Sequence, residues 1–313
     1  MESSATQPRA PVVAAFAPGP AAHEPIDFGL AACRITGAPL VVVAVQHGVP
    51  LMNDVVFDHD DEISRLREAL VRQGIRDPDI RVFDDSTPAR GLARALDEIK
   101  PELIVLGASR RGKPRMLGTT AQRVIGASAC PVAIVPTGYR RPDGGVQLIG
   151  AAYSPSEEGR QALSAAVTLA RAAGVRVRAI TVLDPDHAAE QSHGLMAEQH
   201  HEVSTTEGVA ARGRVTSEHE IKAMLDEIAD GVDVEIDELV NDPAEGLLAA
   251  AQHVDMLVMG SRALGPKRAV LLGSVSRKVV AAAACPVLVL PRGADRQTAA
   301  LLADAQAEAT RAR

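Results

Sequence analysis

The sequence predicts an α/β protein built from two tandem five-stranded parallel-sheet sandwiches, with helices on both faces of each sheet. Three observations support this fold class. The sequence contains two copies of one unit, with Cys285 lying 155 positions (285 − 130) after its counterpart Cys130. Within each copy, five short apolar segments alternate with four helix-like segments, which is typical of parallel strands with right-handed crossovers. A glycine-bearing basic stretch follows the fourth apolar segment of both copies.

The repeat is visible along most of the chain. The segment ASACPVAIVPTG (127–138) corresponds to AAACPVLVLPRG (282–293), and ELIVLGASRRG (102–112) corresponds to DMLVMGSRALG (255–265). Repeats of this kind are sought first because they decide the whole architecture. We therefore predict a first domain over 10–138, a second over 146–292, a Gly- and Pro-containing linker over 137–145, and tails over 1–9 and 293–313.

The second copy shows each element in turn. Apolar runs and period-two alternation indicate strands, whereas apolar residues at helical spacing and a proline near the first turn indicate helices. The predicted strands are VQLIGAAY, RVRAITVL, VDVEIDELV, DMLVMG and PVLVLP. The predicted helices cover 157–173, DPAEGLLAAAQH and GSVSRKVVAAAA, and the long polar stretch 188–230 also favours helix. Open sheets of this type bind ligands at the carboxyl ends of the strands, near a topological switch point.

The last strand of each copy is short, apolar and bracketed by prolines, namely Pro131 and Pro136, and Pro286 and Pro291. Prolines at strand ends mark sheet edges. An apolar edge still invites pairing, so we expect the two last strands to pair about a pseudo-twofold axis. The alternative is that each edge is merely shielded.

Composition excludes several classes of protein. A formal net charge of −7 argues against a general nucleic-acid binder, which needs a concentrated basic surface. Three widely spaced cysteines form neither a disulfide framework nor a zinc motif. The sequence shows no apolar run of membrane-spanning length and no signal-peptide pattern, so we expect a cytoplasmic protein that does not contact membranes.

With the repeat and the glycine loop, the chain resembles the universal stress protein family in its tandem, actinobacterial form. The family signature is Gly, two residues, Gly, nine residues, Gly and then Ser or Thr. Gly260, Ala263 and Gly273–Ser274 occupy these places, with Gly265 two residues after Ala263. The resemblance implies an adenine nucleotide alpha hydrolase-like fold with strand order 3-2-1-4-5, and ATP with Mg²⁺ as the ligand.

The two copies depart from the family pattern to different extents. In the first, Arg110 holds the second glycine position. The interval from Gly107 to Gly118 is two residues shorter than the matching interval from Gly260 to Gly273. The aspartate that the family carries after the first strand is replaced by Ala17 in the first copy and Ser154 in the second. We therefore expect a degenerate first site and a better preserved second one.

Phosphate binding needs hydrogen-bond donors and positive potential, which a helix N-terminus and nearby cations supply. Gly273 admits a phosphate close to the backbone, and we expect Ser274 or Ser276 to cap the last helix. Lys267 and Arg268 are further candidate cations. The predicted ligand contacts of the second unit are Ala152, Ser154, Val182, Gly260, Ser261, Arg262, Gly265, Gly273, Ser274, Val275 and Ser276.

Other chemistries lack support. The sequence has no Walker-type phosphate loop, and the adjacent His200 and His201 are a poor metal chelate. Cys130 and Cys285 are predicted to be small buried packing residues, and no catalytic triad has a supporting context. We expect a non-enzymatic stress-response protein that binds ATP, signals to a protein partner, and forms an intramolecular pseudo-dimer with homodimerisation as a further option. A scaffold that no longer binds nucleotide and a slow ATP hydrolase are the alternatives.

Overall fold

The computed structural model describes residues 9–17, 23–46, 59–108, 117–184, 218–261 and 272–291. The elements of the first unit are β1 Val12–Phe16, α1 Glu24–Thr36, β2 Leu40–Gln46, α2 His59–Arg72, β3 Asp79–Asp84, α3 Pro88–Ile99, β4 Leu103–Gly107, α4 Thr119–Ala127 and β5 Val132–Val135. Those of the second are β6 Leu148–Tyr153, α5 Glu157–Ala173, β7 Arg176–Leu183, α6 over 218–228, β8 Val234–Val240, α7 Pro243–Ala250, β9 Met256–Gly260, α8 Ser274–Ala282 and β10 Val287–Leu290.

All ten strands belong to one continuous sheet in the order β3-β2-β1-β4-β5-β10-β9-β6-β7-β8. Each half, read from its outer edge to the middle, has the order 3-2-1-4-5 with parallel neighbours. The predicted fold class and strand order are therefore confirmed. In each half the chain leaves the first strand in one direction and returns on its other side, which creates a switch point between strands one and four.

The two halves join through their last strands, as the proline-bounded apolar edges predicted. β5 and β10 pair antiparallel, with Ile134 opposite Val287 and Val132 opposite Val289. Every residue of both strands is buried. Pairing satisfies the backbone groups of both edges and covers their side chains, so each unit removes the other's exposed edge.

Helices cover both faces of the sheet. Face 1 is covered by α1, α2, α5 and α6, and face 2 by α3, α4, α7 and α8, each with its own hydrophobic cluster. Alternate residues of the strands supply the two clusters, so Ala133 of β5 lies on face 1 and Val132 on face 2. Most of these side chains are Ala, Val, Leu and Ile, as an aromatic content of 2% requires.

The linker docks on α1 of the first unit. The Gly138 N–H donates to the Glu24 carboxylate at 3.0 Å, and the Tyr139 ring contacts Phe28 edge-on at 6.0 Å between centroids. Burial and the nearby Asp255 carboxylate raise the pKa of Tyr139 to about 12. Since Asp255 belongs to the second unit, Tyr139 lies where the two units meet.

Candidate functional site

The candidate site of the second unit lies at the switch point between β6 and β9. These two strands are parallel neighbours, with Ala151 opposite Val258, and β7 pairs with the other side of β6. Their carboxyl ends, at Tyr153 and Gly260, therefore lie side by side at one edge of the sheet. Because α8 follows β9 in the chain, its N-terminus starts from that same edge.

Gly260 is required by packing rather than by backbone conformation. A Cβ built on it would lie 2.6 Å from the Cβ of Glu158 and 3.0 Å from the Glu158 carbonyl oxygen. The first turn of α5 therefore lies directly against the end of β9. The next residue, Ser261, is fully buried, and its N–H donates to the Leu290 carbonyl at 3.0 Å.

The start of α8 differs from the sequence prediction. Gly273 is the N-cap residue, with φ −58° and ψ 164°, and no side chain caps the helix. Ser274 is exposed as the first helical residue, and the hydroxyl of Ser276 donates to the Gly260 carbonyl at 3.2 Å. The prediction that Ser274 or Ser276 caps the helix is therefore wrong, because the extended N-cap conformation falls one residue earlier. Thr119 is likewise the first residue of α4, after the N-cap Gly118.

Two serines organise the turn between β6 and α5. The hydroxyl groups of Ser154 and Ser156 are 2.9 Å apart, and the Ser156 hydroxyl accepts from the Gly159 N–H at 3.2 Å as the cap of α5. Gly159 packs so tightly that an added Cβ would lie 2.2 Å from the Ser154 carbonyl oxygen. Ser154 thus stands at the predicted aspartate position with its hydroxyl bonded to Ser156.

The three apolar residues in the predicted set share one environment. Ala152, Val182 and Val275 are partly buried and pack against the face 2 cluster. Val182 also contacts Gly246 of α7, where an added Cβ would lie 2.7 Å from the Val182 Cγ1. Arg262, Gly265 and the loop residues Ala263, Lys267 and Arg268 lie outside the described residues.

The first unit has the same strands but a different edge. An added Cβ on Gly107 would come no closer than 3.5 Å to another group, the Pro25 Cγ. Helix α1 begins at Glu24, eight positions after Phe16, whereas α5 begins at Glu157, four positions after Tyr153. Ala17 is exposed at the aspartate position, and Arg110 lies outside the described residues.

Burial keeps Cys130 and Cys285 in the unreactive thiol form. Burial raises the pKa of Cys285 to about 12 and raises the pKa of Cys130, where a contact with the Ser128 hydroxyl at 3.3 Å works in the opposite direction. Thiolates are the reactive form, so both side chains stay protonated at neutral pH. No metal-binding group of three or more His, Cys, Asp or Glu side chains occurs among the described residues, and His200 and His201 lie outside them.

Three residues near the site were missed from the sequence. Ser156 and Gly159 shape the turn that holds Ser154, and Glu158 packs on Gly260. A serine followed by two glutamates at a helix start is a recognisable capping pattern for the first of these. The contact between Glu158 and Gly260 joins distant parts of the chain, so no local pattern announces it.

Fold and site together define a class: a tandem α/β protein whose two units share one sheet, with a helix N-terminus facing the switch point of each. The family model described as the universal stress protein family matches residues 9–136 and 146–291. The chain belongs to that family.

Relatives and solved structures agree with this family and fold. A universal stress protein of Mycobacterium tuberculosis strain H37Rv is 31% identical over 207 residues, covering 64% of this chain and 68% of the relative. A universal stress protein from Archaeoglobus fulgidus DSM 4304 has a similar structure, with a TM-score of 0.56 and 18% identity over 90% of this chain and 98% of that one. A functionally unknown protein from Pseudomonas aeruginosa PAO1 gives a TM-score of 0.62 and 17% identity over 96% and 98%.

Within the part of the chain that the structure describes, no helix has both the length and the apolar character that crossing a membrane demands.

Proposed function

We propose that this protein is a non-enzymatic stress-response protein that binds an adenine nucleotide, ATP, in its second unit. The observation that carries the proposal is the start of α8. Its first turn has no side-chain cap, and Ser276 ties it to the end of β9. The first N–H groups of a helix have no intrahelical partner and mark the positive end of its dipole, which suits a phosphate group.

The residues present fit the phosphates better than the rest of the nucleotide. Gly273 presents no side chain, and the exposed Ser274 offers a hydroxyl next to the first N–H groups of the helix. Ser276 is already bonded to Gly260, so it supports the helix and is not free as a ligand donor. Magnesium accompanying ATP would supply further neutralisation of phosphate charge, with the cations of the loop after β9.

The base and ribose would lie near the end of β6. Ser154 stands there, and its hydroxyl bonds to Ser156. One hydroxyl replaces the family's carboxylate at this position, so recognition of the sugar is weaker and phosphate contacts supply more of the affinity. The first unit serves as the covalently attached half of the pseudo-dimer, and a protein partner reads the nucleotide-bound loop after β9.

The test is a calorimetric titration with ATP–Mg, accompanied by thermal melts. At a hundredfold excess over its dissociation constant, ATP should stabilise the protein by about 2.7 kcal/mol. Gly273→Val should abolish binding, because a branched side chain fills the space that a phosphate must enter. Gly118→Val is the matched control, since Gly118 is the uncapped N-cap residue of α4 in the first unit and has similar extended dihedral angles.

Two outcomes would reject the proposal. The absence of heat and of any melting shift at millimolar ATP would favour the scaffold that no longer binds nucleotide. One observation supports that alternative: the hydroxyl groups of Ser154 and Ser276 already form hydrogen bonds within the protein. Sustained phosphate release by the pure protein, lost in Gly273→Val, would instead favour ATP hydrolysis.

A further inference from the structure

Helices α4 and α8 carry a concentration of positive charge on face 2. Their exposed side chains include Arg123 of α4 and Arg277 and Lys278 of α8, which we call the basic strip. Neither helix contains an acidic residue. Arg123 and Lys278 occupy equivalent positions of the two units, so the pseudo-symmetry places one cation of the pair on each helix.

The cations of the basic strip have no partner among the described residues, in contrast to many exposed cations elsewhere. Their side chains form no hydrogen bond or ion pair with a described group, and the Arg277 N–H donates to the Gly273 carbonyl only as part of the helix backbone. Ion pairs neutralise cations on other elements: Arg65 with Asp61, Arg81 with Asp79, Arg90 with Asp85, Arg94 with Glu98, Arg160 with Glu157, Arg178 with Glu235 and Lys222 with Glu218. The strip therefore keeps its charge in a protein whose net charge is −7.

The topology places α4 and α8 on the same face of the sheet, one on each side of the β5–β10 junction. Each lies on face 2 over the last two strands of its own unit, and those four strands are neighbours in the order β4-β5-β10-β9. The exposed cations of the strip therefore lie on one face of the sheet, on either side of the β5–β10 junction.

Acidic residues limit the width of the strip. The flanking helix α3 carries exposed Asp97, with Glu98 already paired to Arg94, and α7 carries exposed Glu245. A long polyanion such as a nucleic acid duplex would extend past α4 and α8 and meet these carboxylates. A short acidic stretch of polypeptide, about one helix wide, can contact the cations alone.

We propose that the basic strip is a docking surface for a short acidic segment of a partner protein. This proposal rests on the proposed function in one respect, namely that the nucleotide site lies at the start of α8. Arg277 and Lys278 follow Ser274 by one helical turn. A partner docked on the strip would therefore contact the helix whose N-terminus holds the phosphates. Charge complementarity sets the chemistry of the partner and speeds its association.

The experiment measures binding of a fluorescein-labelled oligoglutamate peptide to the full chain by anisotropy at low ionic strength. The double variant Arg123→Glu with Lys278→Glu should weaken binding by about tenfold or more, because two attractive contacts become repulsive. The matched control, Arg76→Glu with Arg176→Glu, changes the net charge equally at exposed cations that form no ion pair with described groups. It should stay within about twofold of the parent.

Equal losses in the two double variants would overturn the proposal, because the peptide would then be sensing net charge alone. An oligonucleotide of matched charge that binds as tightly as the peptide, with the same dependence on Arg123 and Lys278, would also overturn it in favour of nucleic acid. All measurements are made without nucleotide and repeated with ATP–Mg. Failure of ATP binding leaves the peptide result interpretable, so the two proposals fail separately.

Discussion

The two units share their strand order and their junction but differ at the carboxyl edge where the ligand site is expected. In the second unit the first turn of α5 lies against Gly260, and Ser276 bonds to the same residue. In the first, an added Cβ on Gly107 would make only an ordinary contact, with Pro25 at 3.5 Å, and α1 starts four positions later relative to its strand. The core of this fold therefore tolerates a change at the edge of the sheet that alters the ligand site.

The junction is also less symmetric than the strand order suggests. Opposite Ala133 of β5 stands Leu288 of β10, and both lie on face 1. Leu288 lines a small apolar pocket together with Phe28 and Leu169, which come from α1 and α5. The larger side chain of this facing pair thus comes from the second unit.

The largest expected effect tests this junction. Leu288 is 2% exposed, so Leu288→Ala removes a buried side chain beside an existing pocket and should lower the free energy of unfolding by ~2–5 kcal/mol. Denaturant melts of the full chain measure it. Val82→Ala, on the exposed edge strand β3, is the control and should change stability by less than about 0.5 kcal/mol. A loss below about 1 kcal/mol for Leu288→Ala would contradict the assigned role.

The second prediction compares the two edges directly. Gly260→Ala places a Cβ within 2.6 Å of Glu158 and should destabilise the protein by ~1–3 kcal/mol through overpacking. Gly107→Ala meets its nearest neighbour at 3.5 Å, an ordinary contact, and should be close to neutral. Urea unfolding midpoints of the two variants, each compared with the parent, measure the two costs. Equal costs at both positions would show that the edges are packed alike and would remove the difference described above.

The smallest effect concerns the equivalent cysteines. Burial holds the pKa of Cys285 at about 12, against an ordinary value of 9.0, so the folded state favours the protonated thiol. The associated stability is fully present below pH ~9 and is lost as the pH rises towards ~12. Ser128 contacts Cys130, whereas Ala283 stands at the matching position of the second unit, so the effect is larger for Cys285.

Stability measured between pH ~8 and ~11 should therefore fall less steeply in Cys285→Ala than in the parent, with Cys130→Ala in between. The comparison uses the slope with pH, so the constant cost of removing a buried sulfur cancels. A parent slope that neither substitution reduces would mean that other groups control alkaline stability.

Much of the fold was predictable from the sequence because its signals are local and repeated. Apolar runs, prolines at strand ends and the duplicated Cys-Pro segments predicted the strands and the β5–β10 pairing, whereas the strand order came from the resemblance to the family. The site was harder. Two of its features depend on contacts between distant segments: the packing of α5 against Gly260, and the hydrogen bond from Ser276 to the Gly260 carbonyl. The N-cap at Gly273 was missed because serine is the commoner cap, while a glycine in extended conformation serves nearly as well before the first turn.

The β5–β10 pairing has a consequence for synthesis of the chain. Val287 follows Val135 by 152 positions (287 − 135), so β5 is finished long before its partner strand exists. At ~5–20 residues per second, the ribosome leaves that edge uncovered for roughly 8–30 s. During this time the nascent first unit presents a fully apolar strand that a neighbouring nascent chain can pair with. Pro131 and Pro136 bracket the strand and keep the vulnerable stretch to four residues until β10 emerges and covers it.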